Sequence, residues 1–373
     1  MDALMLPSNW QKVRLGDIAE INPPTIIPNV FYYIDLESVE KGQLLNKQLM
    51  IKNKAPSRAR RLLSKNDILY QLVRPYQRNN YFFTLNGNYV ASTGYAQIRT
   101  LQNPSFLYFA LHSNYFVNAV LDRCEGTSYP AISSNELKKC EVILPPLNEQ
   151  IAIANILSGL DRYLYSLRAL ILKKESVKKA LSFELLSQRK RLKGFNQAWQ
   201  RVRLGDICEI TTGSLDANEM VHYGKYRFYT CAKEYYFIDK YAFDTEAILI
   251  SGNGAYVGYV HYYKGKFNAY QRTYVLDNFS EHIMFVKYFL TMFLQSHIQT
   301  NKNEGNTPYI VMATLKDFEI LLPPLNEQIA IANILSGLDN EIISLKNKKR
   351  QFENIKKALN HDLMSAKIRV LKK

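Results

Sequence analysis

The chain is poor in the residues that build reactive or metal centres. Its 373 residues include four cysteines and six histidines. Cys124, Cys140, Cys208 and Cys231 form no C-x-x-C pair or other metal-ligand spacing, and read as reduced thiols of a cytoplasmic protein. The histidines form no HxxxH or HExxH group, so no metal site is expected. There is no G-x-x-x-x-G-K-[ST] run and no glycine-rich loop of the methyltransferase kind, so neither an ATPase motor nor a cofactor cradle is expected. No stretch approaches the roughly 18–20 uninterrupted apolar residues of a membrane span. The opening MDALMLPSNW lacks the basic and apolar regions of a secretory signal. Acidic residues are in deficit too: 33 Asp and Glu face 48 Lys and Arg, a net charge of +15. With 26 tyrosines and 18 phenylalanines, that balance points to a polyanionic partner, nucleic acid first.

Three near-misses for chemistry fail on their context. N-P-P-T at Asn22–Thr25 lacks the aromatic with which an adenine methyltransferase stacks on a flipped base, and reads as a turn after the first strand. SGNGAYVG (Ser251–Gly258) fits neither phosphate-loop nor dinucleotide spacing, and reads as glycines at strand ends. E-L-K at Glu136–Lys138 has nuclease letters but falls at a helix start, and its counterpart in the second half reads T-L-K.

What the chain does have is repetition. LPPLNEQIAIANILSGLD occurs at Leu144–Asp161 and, letter for letter, at Leu322–Asp339. WQKVRLGDIAEIN (Trp10–Asn22) returns as WQRVRLGDICEIT (Trp199–Thr211), and the only two tryptophans of the chain open these segments. EGTSYPAISSNELKKCEVILPP (Glu125–Pro146) parallels EGNTPYIVMATLKDFEILLPP (Glu304–Pro324), and KKALSFELLS (Lys178–Ser187) parallels KKALNHDLMS (Lys356–Ser365). Repeats of this length constrain the architecture before any other feature. Each half runs from the tryptophan segment through a divergent body to an E-G element, the PPLNEQ segment and a basic tail. The bodies read as mixed strands and turns: DILYQLV (Asp67–Val73), EAILISG (Glu246–Gly252) and YVGYVHYY (Tyr256–Tyr263) are short β-branched and aromatic runs. Helical patches are expected around Phe106–Val120 and His282–Gln295.

PPLNEQ reads as a helix start, with prolines at the first turn and Glu149 or Glu327 favoured by the positive N-terminal end. Apolar residues then follow heptad-like spacing: Ile156, Leu160, Tyr163, Leu167, Leu170, Val177 and Leu181 in one copy, and Ile334, Leu338, Leu345, Phe352, Ile355 and Leu359 in the other. Such spacing buries one seam against another helix. A helix from about Leu147 to Ser187 would be roughly 60 Å long at ~1.5 Å per residue. The expected seam is Ile156, Leu160 and Leu167 against Ile334, Leu338 and Leu345, an intramolecular pair, and the rival is that each helix packs only on its own domain.

Two PPLxEQxxIAxIL helices, each preceded by a W-x-x-V-x-L-G-D-I domain, resemble the specificity subunit of type I restriction–modification systems. The resemblance covers essentially the whole chain. It implies an α+β fold: two mixed α/β target recognition domains separated by a pair of long antiparallel coiled-coil helices, with an internal pseudo-twofold repeat. The expected boundaries are 1–145 for the first recognition domain, 146–194 for the first helix, 195–322 for the second domain and 323–373 for the second helix. It implies that each domain reads one half of a split double-stranded DNA site, and that the helices set the spacer and dock two methylation subunits. The full enzyme adds two ATP-driven restriction subunits. The chain itself would be non-catalytic and free of cofactors, with S-adenosylmethionine, ATP and Mg on its partners. Two rivals belong to other classes: a stand-alone nuclease or methyltransferase with undetected motifs, and a coiled-coil scaffold that binds no DNA.

Basic and amide residues interleaved with aromatics are the usual material for phosphate and base-edge contacts. In the first body the run Lys52–Lys65 offers Arg58, Arg60 and Arg61, and VRPYQRNNY offers Arg74, Gln77 and Arg78. In the second, HYGKYRFYTCAKEYY offers Lys225, Tyr226, Arg227 and Lys233, and YQRTY offers Gln271 and Arg272. Thr127 and Ser128 of the first E-G loop, and Asn306 and Thr307 of the second, suit phosphate contact, or merely close the domain.

Overall fold

The structure, a computed structural model, describes residues 6–300 and 308–370. It divides into two compact units, Met1–Arg168 with Asn347–Lys373, and Ala169–Lys346.

In the first unit, β1 (Gln11–Arg14) and a single turn α1 (Leu15–Ile18) lead into β2 (Ala19–Ile21). The divergent body follows as β3 (Val30–Ile34), a small hairpin β4 (Val39–Glu40) and β5 (Gln43–Leu44), then β6 (Gln48–Ile51) and β7 (Ala59–Leu62). β8 (Ile68–Gln71), β9 (Tyr81–Phe82), β10 (Tyr89–Ser92) and β11 (Tyr95–Thr100) complete it. Helices α2 (Pro104–Ala110), α3 (Asn114–Leu121) and α4 (Ser134–Lys139) come next, then β12 (Glu141–Leu144) and the long helix α5 (Leu147–Leu186). The expected helical patch at 106–120 is thus two helices, and Ser113 makes the break by accepting from the Phe116 amide as an N-cap. Two four-stranded sheets run β6-β3-β10-β7 and β2-β11-β8-β9.

The second unit repeats this plan with longer strands: β13 (Gln200–Arg203), β14 (Glu209–Thr212), β15 (Tyr226–Tyr229), β16 (Tyr236–Ile238), β17 (Phe243–Ser251), β18 (Val260–Ala269) and β19 (Thr273–Asp277). Helices α6 (Ile283–Thr300) and α7 (Met312–Lys316), β20 (Glu319–Leu322) and the long helix α8 (Leu325–Met364) follow. One six-stranded sheet runs β14-β19-β17-β18-β15-β16. The sheets of the first unit follow the same order if β7 and β8 are the two ends of β17, and β9 and β10 those of β18. Both bodies retain the uncommon parallel pair, β3 with β10 and β15 with β18.

The repeated segments meet each other. The tryptophan strand pairs antiparallel with the strand before the prolines in each unit, Gln11 opposite Leu144 and Gln200 opposite Leu322. The glycine of each LGD packs closely on the helix before the prolines: an added Cβ would lie 3.1 Å from the Lys138 Cβ at Gly16 and 3.0 Å from the Lys316 Cβ at Gly205, tight enough to push those neighbours aside. At the start of each long helix the PPLNEQ glutamate is buried, Glu149 at 1% and Glu327 at 0% exposure. The Trp10 indole donates to Glu149 Oε2 at 3.0 Å, and the Trp199 indole to Glu327 Oε2 at 3.2 Å. An arginine from a basic tail completes each grip: Arg369 donates twice to Glu149, at 2.6 and 2.8 Å, and Arg191 twice to Glu327. The next residue is equally occupied. Gln150 accepts from the Asn103 amide and donates to the Pro145 carbonyl, and Gln328 accepts from the His282 amide and donates to the Pro323 carbonyl.

The two long helices run antiparallel. Within the first unit Tyr163 meets Phe352, with ring centroids 4.7 Å apart, and Lys356 pairs with Asp161. Within the second, Lys178 pairs with Asp339 and Lys174 with Glu341. Partners exchange roles under the 178-residue offset of the repeat, as an isologous contact requires. The seam is not where the heptad reading put its first turns. Ile156 and Ile334 stand outward at 39% and 37% exposure, whereas Ile153, Leu157, Ile331 and Leu335 are buried at 1% or less. The physical reason is that these first turns pack into the cores of the α/β bodies, beside Phe106 and Leu137 or Phe285 and Leu315, so the body sets their phase. Leu167 is buried, while Leu160, Leu338 and Leu345 are half-buried. Both expectations for the helices therefore hold in part: their first turns pack on a body, and further along they pack on each other.

Removing the Glu149 carboxylate would leave the Arg369 guanidinium and the Trp10 indole without an acceptor. The Arg369 guanidinium can turn to water but the buried indole cannot, so Glu149→Ala is expected to cost about 1–3 kcal/mol in urea denaturation, and no measurable loss would show that the grip contributes little.

Candidate nucleic-acid interface

In the first unit the central strand β8 leaves the core into the loop carrying Arg74, Gln77 and Arg78. Arg74 and Arg78 both adopt left-handed backbone, with φ of 54° and 55°. Residues other than glycine hold that conformation only when their surroundings impose it. Gln71 and Asn80 do so here. Gln71 donates to the Val73 carbonyl at 2.7 Å and to Gln77 Oε1 at 2.9 Å, and accepts from the Asn79 amide at 3.2 Å. Asn80 Oδ1 accepts from the Gln71 amide at 2.8 Å. Arg78 is itself a strut, donating to the His112 carbonyl at 3.0 Å and to Asn114 Oδ1 at 2.7 Å.

Arg74 remains available. Its guanidinium lies 4.1 Å from the Tyr129 ring centroid, a cation–π pair, and its amide donates to the Pro130 carbonyl at 2.7 Å. The E-G loop, closed by two hydrogen bonds between Glu125 and Ala131, is thus tied to the arginine loop, with Thr127 and Ser128 exposed at its tip. Tyr76 and Tyr129 are exposed beside them, and neither is among the contact residues expected from the sequence. Their signal was an aromatic within each candidate loop.

The arginine run of β7 is split by strand alternation. Arg58 donates to the Tyr33 hydroxyl at 3.2 Å, and its carbonyl accepts from Thr93, next to the Gly94 carbonyl that receives the Leu72 amide. It therefore approaches the loop of Arg74. Arg60 is exposed and bonded to the Ser57 carbonyl. Arg61 turns inward, half-buried, with no partner for its Nε, and burial lowers its pKa.

In the second unit alternation splits the candidates again. Arg227 is held between the rings of Tyr235 and Tyr263, 4.3 and 4.4 Å from their centroids, and donates to the Tyr229 hydroxyl at 3.3 Å. Tyr226 contacts Tyr241 instead, whose ring carries Lys266. Lys225 is exposed where the chain enters β15. Lys233 sits over the Tyr256 ring at 5.2 Å. Tyr256 belongs to SGNGAYVG, whose residues 255–258 form a turn where the aromatic run Tyr256–Tyr263 is expected to be strand throughout. Gly258 makes the turn, with φ of 79° and the Gln295 and Ile298 side chains where a Cβ would stand.

The Gly252 amide donates to the Arg272 carbonyl, the Cys231 thiol donates to the same carbonyl, and Gly254 donates to Pro308. Lys233, Tyr256 and Arg272 are thus gathered around the glycine turn, where the second E-G element arrives. Gln271 and Arg272 are exposed, and Asn306 and Thr307 lie outside the described residues. The equivalent place in both bodies, after β8 or β17, thus carries a basic–aromatic surface built on different basic residues.

A different surface is identical in both halves. Leu147, Asn148, Asn155 and Ile156 are exposed on α5, as are Leu325, Asn326, Asn333 and Ile334 on α8. Added Cβ atoms at Gly159 and Gly337 would meet nothing within 4 Å. Among the described residues no group of three His, Cys, Asp or Glu is placed to hold a metal, and no helix is long and apolar enough to cross a membrane.

The strut beneath the arginine loop is sensitive to acid. His112 approaches the Tyr108 carbonyl through Nδ1 and Asn80 through Nε2, and burial pushes its pKa down to about 4, helped by Lys356 and Arg78. Because the folded value lies below the ordinary one of about 6.5, the unfolded chain takes up the proton first. This contribution to stability is full above about pH 6.5 and is lost as pH falls towards 4. His112→Gln is expected to flatten that part of the acid slope in urea titrations, and an unchanged slope would place the acid sensitivity elsewhere.

Comparison with known proteins agrees with the duplicated plan. The family described as "Type I restriction modification DNA specificity domain" matches twice, at residues 7–175 and 196–354. The chain is 38% identical over 170 residues to the type I restriction enzyme EcoDI specificity subunit of Escherichia coli, a match spanning 45% of this chain and 37% of that one. It is 24% identical to the MjaVIII specificity subunit of Methanocaldococcus jannaschii over 99% of this chain and 95% of that one. The solved S subunit of a type I restriction–modification system from M. genitalium shares the fold, with a TM-score of 0.67 at 18% identity over 96% of this chain and 98% of that one. The double match, on the two halves that carry the same tryptophan strand, glutamate grip and long helix, shows that the chain belongs to the type I restriction–modification DNA specificity family.

Proposed function

We propose that this chain is the DNA-reading subunit of a type I restriction–modification complex, each body reading one half of an asymmetric, interrupted site. The carrying observation is the contrast between two surfaces. Basic–aromatic loops stand at the same place in both bodies but share no basic residue, whereas the exposed face of the helix starts is identical. Different loops suit different half-sites, and identical faces suit two copies of one partner. That partner is the methylation subunit, docked on the outward face around Ile156 and Ile334. The paired helices act as the ruler that sets the spacer.

In this reading the chain catalyses nothing and works in the cytoplasm. Two methylation subunits and, in the full enzyme, two restriction subunits supply S-adenosylmethionine, ATP and Mg chemistry. Arg74 and Arg227 are the leading base readers, because aromatic rings hold their guanidinium groups in place without neutralising them.

Exchanging residues 195–322 for another such body should change one half-site of the complex's methylation target and leave the other; a change in both would refute independent heads. Arg227→Ala in the assembled complex should cost about 1–3 kcal/mol of DNA affinity and relax preference in one half-site. A loss shared equally by all sequences, with the salt slope reduced by about one, would reassign it to phosphate.

A further inference from the structure

The turns that leave β8 and β17 are one element built from two sequences. Ile132 donates its amide to the Leu72 carbonyl at 3.0 Å, and Ile310 donates to the Gly252 carbonyl at 2.9 Å. Val73 bridges to Ala131, and Asn253 bridges to Tyr309. The Arg74 amide donates to the Pro130 carbonyl at 2.7 Å where the Gly254 amide donates to that of Pro308 at 2.9 Å. Gln77 donates back to the Arg74 carbonyl at 3.0 Å, and Val257 back to the Gly254 carbonyl at 3.1 Å. Both turns open and close on left-handed backbone: φ is 54° at Arg74 and 55° at Arg78, and 79° at both Gly254 and Gly258.

This correspondence sets LVRPYQR (Leu72–Arg78) against GNGAYVG (Gly252–Gly258) without a gap. Arg74, the leading reader of the first body, becomes glycine, and only the tyrosine recurs, as Tyr76 and Tyr256. Packing does not account for it. The two side chains are 50% and 42% exposed, and neither hydroxyl has a hydrogen-bond partner among the described residues. Neither residue stands in left-handed backbone, so the turn itself makes no demand for this residue type.

We infer that Tyr76 and Tyr256 are the constant anchor of the two reading loops, each donating its hydroxyl to a backbone phosphate of its half-site. The inference rests on the reading that both bodies bind DNA, and it adds a contact that carries no sequence preference. Two half-sites of different sequence have the sugar–phosphate backbone in common, and a side chain retained while its neighbours change addresses what does not change. A phenol suits that ligand, because it offers a neutral O–H donor on a rigid ring and phosphate oxygens accept. The charge that draws the backbone in stands beside each ring. Exposed Lys233 lies 5.2 Å over the Tyr256 ring, and Arg74 is two residues before Tyr76. The protein partner is constant as well, but the identical helix starts already serve it, and cations beside both rings favour a polyanion.

The test uses the full chain assembled with the methylation subunits of its own system. Tyr76→Phe or Tyr256→Phe removes one hydroxyl, and each should weaken binding to target and non-target duplex alike by about tenfold. The salt slope should stay unchanged because no charge is lost. The methylated sequence should be the same in both half-sites, and the double variant should lose the product of the two single losses. In phosphate-ethylation interference each variant should become indifferent to one phosphate in one half-site, and this pattern decides the matter even if a variant melts early. Undiminished affinity in both variants would overturn the inference. So would a changed preference at one base, which would make the tyrosine a reader, or lost uptake of methylation subunits with DNA contacts intact, which would make it a protein contact. Arg227→Ala keeps the broader reading apart: relaxed preference there with full affinity in the tyrosine variants overturns the anchor alone. An assembled parent complex that prefers no duplex removes the reading and the anchor together.

Discussion

A buried carboxylate at the first turn of a long helix governs the rest of the structure. Glu149 and Glu327 lie out of contact with water, and a charge placed there is costly unless it is paired and fully hydrogen-bonded. Three segments distant in sequence converge to meet that need: the helix start that supplies the glutamate, the tryptophan strand that supplies an indole N–H, and a basic tail that supplies a guanidinium. Satisfying one carboxylate therefore aligns a strand, a helix and the end of the other helix together. Arg191 follows α5 yet grips the start of α8, and Arg369 follows α8 yet grips the start of α5. The ends of the helix pair are thereby locked by the same residues twice.

This explains why the repeat is strict where it is and lax elsewhere. Glutamate, glutamine, proline and tryptophan recur because each has a specific partner. The bodies need only an apolar interior on strands of matching order, and many sequences meet that condition. Their surfaces are accordingly free to diverge, and the basic–aromatic loops after β8 and β17 differ wherever a different DNA sequence would demand it.

The duplicated plan, the helix starts and the pairing of the helices were legible in the sequence, because identity and three-four spacing are linear signals. The phase of the first helical turns was not. Ile156 continues the heptad step as well as Leu157 does, and only packing against Phe106 and Leu137 selects Leu157. The arginine runs were legible as sets but not as sites. Period-two alternation sends Arg61 inward and Tyr226 away from Arg227, and Arg78 becomes a strut because His112 and Asn114 lie within reach. SGNGAYVG read as glycine punctuation, and its place beside Lys233 and Arg272 depends on backbone hydrogen bonds to residues as distant as Ile310, which donates to the Gly252 carbonyl.

By itself, then, the sequence determined that there are two copies of one design, that each contains a long helix begun by PPLNEQ, and that the surface is basic and aromatic. These properties reside in residue identity and local period. Tertiary structure alone decided which glutamate meets which arginine, which side of each helix faces out, and which basic residues are free to touch a partner. The physical reason is that burial and pairing are relations between segments far apart in the chain, and no local pattern records which segment will be the neighbour.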